Sequence, residues 1–169
     1  MSRSSPRVST AAGRVRLVVC LALLAAAAAF GWAAPPTPLP AFELTSLEGE
    51  AVPAARIVRE GRWLLVYVSP YSGASGPLLQ VLEGTASTAR PSLVIVVGAE
   101  PAAAQAMARS FEGRLDAAWY ADPSGNARST LGLGGVPVAL GLRDQHIQWT
   151  LSGGMADRGT LRSILVSWR

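Results

Sequence analysis

The sequence predicts an α/β domain with a mixed sheet, carried behind an N-terminal export segment. Three observations predict it. Two uninterrupted apolar runs, Trp63 to Val68 and Ser92 to Gly98, are bounded by Gly and Pro and read as strands buried on both faces. Helical stretches separate and follow them. Two further short apolar segments, Val138 to Leu142 and His146 to Leu151, flank Arg143-Asp144-Gln145 as an antiparallel hairpin.

The elements follow in order. Leu17 to Phe30 is an uncharged apolar run. It follows a segment bearing Arg3, Arg7, Arg14 and Arg16 and runs into Gly31-Trp32-Ala33-Ala34, the layout of a secretory signal. Residues 1–34 are expected to be either a cleaved signal or a single membrane anchor. Gly31 and Ala33 provide a small-residue pair for a cut after Ala33. If no cut occurs, residues 17–34 give a short span with its N-terminus held in the cytoplasm by the Arg residues. Residues 35–40 carry four prolines and read as a stiff linker. The folded domain is expected over 41–169, with no internal repeat.

Within it, Phe42-Glu43-Leu44 alternates and meets a turn at Glu48-Gly49, predicting a short strand or hairpin. A helix is expected from Ser75 to about Ala86, with Pro77 tolerated only in its first turn. Pro101 to Phe111 is an Ala-rich helix after a Pro start, and Trp119-Tyr120 ends a weaker third strand. Asp122-Pro123-Ser124-Gly125-Asn126 is turn chemistry, in which Asp122 reads as a turn or cap residue. A short helix follows and stops at the glycines between Gly132 and Gly135, and Thr160 to Trp168 closes the domain as an amphipathic helix. Trp63, Trp119 and Trp149 fall on strands and are expected to pack in the core or at its edges.

Charge and cysteine content narrow the function classes. The formal charge of +4 lies in the N-terminal Arg cluster. From Glu43 onward the Arg residues and the acidic residues balance at 11 each. The domain has no Lys and no basic run, so it lacks the footprint of a nucleic-acid binder. A single His excludes a histidine metal cluster, and no metal or other cofactor is expected. The only cysteine, Cys20, lies in the apolar N-terminal run, which excludes disulfides, thiolate zinc sites and thiol catalysis within the domain. Gly73-Ala74-Ser75-Gly76-Pro77 misses the G-x-S-x-G nucleophile elbow at its last position. The one available base, His146, is expected on the distal hairpin as a surface residue, so a serine hydrolase is disfavoured. Gly132-Leu133-Gly134-Gly135 has Pro137 where a dinucleotide loop needs its last glycine, and reads as a loop joining helix to strand.

Three segments carry a resemblance. These are Pro40-Ala41-Phe42-Glu43-Leu44 with Leu47-Glu48-Gly49, then the stretch from Leu65 through Ser69-Pro70-Tyr71-Ser72-Gly73-Ala74-Ser75-Gly76-Pro77 to Leu79, and finally Leu131-Gly132-Leu133-Gly134-Gly135-Val136-Pro137-Val138. In this order they resemble the thioredoxin-like, membrane-anchored thiol–disulfide oxidoreductases of the bacterial periplasm. The Ser-Pro entry and Leu-Leu exit are most similar to the methylamine-utilisation accessory branch. The resemblance covers about residues 38 to 169. It implies a thioredoxin-like mixed sheet flanked by helices, a cis peptide bond before Pro137, and a location outside the cytoplasm. It also places Ser72 and Ser75 where the family has its two active-site cysteines. An alcohol does not reach the thiolate range and has no counterpart of disulfide exchange, so dithiol catalysis is not expected.

What the resemblance leaves is a binding surface of Tyr71, Ser72, Ser75, Val136 and Pro137, facing an extended segment of a periplasmic protein client. Ser72 is also expected to cap the helix by accepting a backbone N–H bond. The alternative is a subunit without thiols of its own, positioning substrate for a partner's dithiol.

Overall fold

The computed structural model describes residues 36–84, 92–152 and 158–168. The expected signal or anchor segment and Cys20 lie outside the described residues. Eight strands form one sheet: β1 (Thr37–Pro38), β2 (Glu43–Ser46), β3 (Ala51–Pro53), β4 (Arg62–Val68), β5 (Ser92–Val97), β6 (Ala118–Ala121), β7 (Val138–Arg143) and β8 (His146–Ser152). Five helices accompany them: α1 (Ala54–Ile57), α2 (Ser75–Gly84), α3 (Pro101–Ser110), α4 (Asn126–Thr130) and α5 (Arg158–Ser167).

The spatial order is β1-β8-β7-β4-β5-β6-β2-β3. β4, β5 and β6 are parallel, and every other neighbouring pair is antiparallel. The two apolar runs therefore lie side by side in the middle, where both faces are covered. On one face Leu64, Val66, Val68, Ile95 and Val97 pack against Leu78, Leu79 and Leu82 of α2, Ala104 of α3 and Leu161 of α5. On the other, Leu65, Tyr67, Val94, Val96, Leu140 and Leu142 meet Phe42, Leu44, Ile57, Val58 and Ala127. Successive strand residues point to opposite faces, so a run buried on both sides has no polar alternation to show.

The sheet reaches further toward the N-terminus than the proline content predicts. Thr37 and Pro38 pair with Ile147 and His146, and the Leu39 amide donates to Gln145 O at 2.7 Å. Proline is acceptable there because an outermost strand has a side on which no ladder bond is needed. The expected hairpin is β7–β8, with Asp144 and Gln145 both at positive φ in the turn. Gly141 on β7 stands opposite Trp149 on β8, and a Cβ at Gly141 would come within 2.1 Å of the indole. The glycine is thus the room the ring occupies.

Candidate functional site

The carboxyl ends of the parallel strands are the usual place for a site in an open α/β sheet. Here β4 ends in Ser69-Pro70-Tyr71-Ser72 before α2, and β6 ends in Asp122 before α4. The turn after β4 is tied by its serines. Tyr71 N–H donates to Ser69 Oγ at 3.2 Å, Ser72 N–H to Ser69 O at 3.1 Å, and Ser75 N–H to Ser72 O at 3.0 Å. Ser69 N–H donates to Ser75 Oγ at 3.1 Å. Ser75 is only 1% exposed, so it holds the turn from beneath.

The Ser72 hydroxyl lies half-buried and donates to Val136 O at 3.1 Å. This corrects the expected cap. α2 begins at Ser75, three residues on, and the Ser72 hydroxyl bridges two loops as a donor where acceptance from the helix was expected. The bond joins the turn to the loop before β7, where the Val136–Pro137 peptide bond is cis, as the resemblance implied. Pro137 is buried and Val136 half-buried beside the turn. Tyr71 is 87% exposed, the one large apolar side chain left in solvent among the described residues. The structure thus brings Ser72 and Val136 into contact, sets Ser75 below them and leaves Tyr71 projecting from the same turn.

The loop before Pro137 leaves backbone donors and acceptors of both kinds without partners among the described residues. Three carbonyls of α4 are engaged, Ala127 O by Leu131 N–H, Arg128 O by Leu133 N–H and Ser129 O by Gly132 N–H, while that of Thr130 has no donor among the described residues. Leu133 O accepts from Arg128 Nε at 3.3 Å. The next three amides, those of Gly134, Gly135 and Val136, have no acceptor among the described residues.

Beneath this loop lies a polar pair that sequence reasoning missed. Tyr67, on β4 and 2% exposed, donates its hydroxyl to Asp122 Oδ2 at 2.9 Å. Asp122, also 2% exposed, accepts further from the Ala127 and Arg128 amides at 3.3 and 3.1 Å. Asp122 is therefore the turn-and-cap residue expected, with a buried phenol as additional partner. Burial, and then the hydrogen bond to Asp122, raise the Tyr67 pKa well above the usual phenol value. Gly98 provides the space, since a Cβ there would lie 2.6 Å from the Tyr67 hydroxyl oxygen. The available signal was a tyrosine inside an otherwise apolar strand, because a buried phenol needs a partner for its hydroxyl.

The remaining candidates behave as the sequence suggested. His146 is exposed in the β7–β8 hairpin, with Nδ1 2.9 Å from Asp144 O. It lies at the end of the sheet where Arg62 pairs with Arg143, the opposite end of β4 from Ser75. Trp119 stacks on Phe111, with centroids 6.2 Å apart, and Trp149 meets Trp168 edge-on at 5.5 Å. Trp63 is half-buried against the second core cluster. No group of three His, Cys, Asp or Glu side chains able to hold a metal occurs among the described residues.

No protein-family profile matches the chain in sequence, and no curated protein does either. Solved structures match in three dimensions. A secreted Mycobacterium tuberculosis disulfide oxidoreductase, described as homologous to E. coli DsbE, is 15% identical with a TM-score of 0.62, covering 75% of this chain and 95% of its own. A DsbF homologue from Corynebacterium diphtheriae is 13% identical with a TM-score of 0.60, covering 79% and 87%. StoA from Bacillus subtilis is 17% identical with a TM-score of 0.53, covering 76% and 98%. The parallel β4-β5-β6 core, the antiparallel β7–β8 hairpin and the cis-proline loop facing the β4–α2 turn accordingly make this a thioredoxin-like fold, the one used by these oxidoreductases.

Proposed function

We propose that this is an exported, redox-inactive thioredoxin-like domain that binds an extended segment of a protein client across Tyr71, Ser72 and Val136, over a floor of Ser75 and Pro137. The observation that carries the reading is the loop-to-turn contact. Ser72 holds the Val136 carbonyl while the Val136 N–H, next to the cis proline, has no acceptor among the described residues. A backbone donor presented beside an exposed aromatic ring is what an added strand uses, the main chain supplying affinity and the side chain selectivity. Serines at both cysteine positions leave no thiolate for exchange. The N-terminal Arg cluster and apolar run, together with the secreted M. tuberculosis neighbour, support a place outside the cytoplasm, either released or held to the inner membrane by residues 17–34.

The test is a photo-reactive amino acid at position 71 of the full chain, irradiated in intact cells, with position 112 as the control. A covalent adduct from position 71 alone, with a protein lacking a reactive dithiol, is the expected result. Adducts with a dithiol protein would favour the substrate-positioning alternative, and their absence would overturn the groove. Purified chain is expected to show no insulin reduction. A reporter fused behind Arg169 and active only in the cytoplasm would overturn export.

A further inference from the structure

We propose that the Ser72 hydroxyl is the acceptor to which the client's own backbone N–H donates, so that the groove selects against proline at the client residue facing Val136. The inference rests on the groove reading above and names what its client must carry. Between Leu131 and Val136, Val136 alone has its carbonyl taken and its N–H open among the described residues. The carbonyl accepts from Ser72 Oγ at 3.1 Å, a bond in which the hydroxyl has to donate.

A hydroxyl has one proton and two lone pairs. The Ser72 proton is committed to Val136 O, and no N–H is given to its oxygen among the described residues. Ser72 keeps part of its surface in solvent, and the neighbouring Tyr71 ring, 87% exposed, stands on the same turn. Turn and loop thus offer one backbone donor and one hydroxyl acceptor side by side. An antiparallel segment exchanges two bonds through a single facing residue, its C=O accepting and its N–H donating. With Val136 as that partner, the client carbonyl takes the Val136 N–H, and the client N–H meets the Ser72 oxygen that already holds Val136 O. The client N–H then donates to Ser72 Oγ and the Ser72 O–H to Val136 O, a chain in which each bond polarises the next. A client proline lacks the N–H that starts the chain. Serine suits this task better than the cysteine of the family it resembles, because a hydroxyl oxygen accepts well and sulfur only weakly.

The experiment selects a binder from a library of random peptides on the purified full-length chain, then replaces its residues one at a time by N-methylalanine, each compared with alanine. With the native chain, one position is expected to lose about fivefold in affinity on N-methylation, the worth of one hydrogen bond. Proline should be depleted at that position of the selected pool. Ser72→Ala should weaken the alanine form by the same factor and abolish the cost of N-methylation there, while Ser72→Thr should behave like the native chain and Ser72→Cys should fall between. N-methylation costs that are equal in the native chain and Ser72→Ala at every position overturn this inference and leave the groove standing, since the client N–H then goes to the other lone pair of Val136 O. Binding that Tyr71→Ala leaves unchanged, or absence of peptide binding by the native chain, overturns both.

Discussion

Two polar clusters lie one above the other at the carboxyl ends of the central strands, and they differ in how completely their hydrogen bonds are made. The lower, Tyr67 with Asp122, is buried, and Asp122 accepts from three donors drawn from two separate parts of the chain. The upper, Ser72 with the loop ending at Val136, is half-buried and leaves the amides of Gly134, Gly135 and Val136 without an acceptor among the described residues. Completing bonds in a dry interior fixes a geometry, while leaving donors unmatched at the surface keeps them available to something else. The lower cluster sets the height and angle of α4, and α4 sets where the loop above it stands.

That division of labour can be broken at graded cost. Asp122→Ala leaves the Tyr67 hydroxyl and two amides without their acceptor inside the protein, and should cost about 3 kcal/mol in urea unfolding. A loss below about 1 kcal/mol would show that the pair does not organise this end of the sheet.

Tyr67→Phe keeps the ring and removes only the hydroxyl, so about 1.5 kcal/mol is expected. This variant also carries a pH signature. The folded Tyr67 holds its proton more tightly than the unfolded chain does. Its contribution is therefore complete below about pH 10, the ordinary phenol value, and is lost above it. The native chain should fall relative to Tyr67→Phe by about 1.4 kcal/mol per pH unit beyond that point. Parallel curves for the two proteins to pH 11 would contradict the buried bond.

The double change Ser72→Cys with Ser75→Cys should cost about 1 kcal/mol in the reduced state, as Ser69 N–H loses its hydroxyl acceptor. It should nevertheless close an intramolecular disulfide under mild oxidant, read by thiol counting. Thiols that stay reduced or cross-link between molecules would separate this turn from the thiol-bearing turn it resembles. Ser72→Ala touches only a half-exposed bond and should change stability by about 0.5 kcal/mol or less. A larger loss would mean that the upper cluster is structural like the lower.

The same contrast explains what the sequence made legible. β4, β5 and the β7–β8 hairpin were readable because burial on both faces and turn chemistry leave local signatures. The cis bond at Pro137 and the approach of the two loops were implied by the family resemblance that the motifs carry. Tyr67 with Asp122 was not readable as a pair: 55 residues separate them, and the tyrosine is one letter in an apolar run. The direction of the Ser72 bond was equally hidden, since a hydroxyl can donate or accept and only the neighbouring carbonyl decides. Ser75 was placed in the binding surface by the resemblance alone, and its burial follows from the bond its hydroxyl accepts from Ser69 N–H at the start of α2.

The pairing of Thr37–Pro38 with β8 has a practical side. A chain shortened to begin at Ala41, where the alternating pattern starts, would lose both β1 and the Leu39 bond to Gln145. The backbone of Ile147 and its neighbours would then be bare. A proline-bearing strand makes a poor template for another copy, whereas an uncovered β8 makes a good one. Material starting at Ala41 should thus elute in light scattering as growing oligomers, and material starting at Pro36 as a single copy.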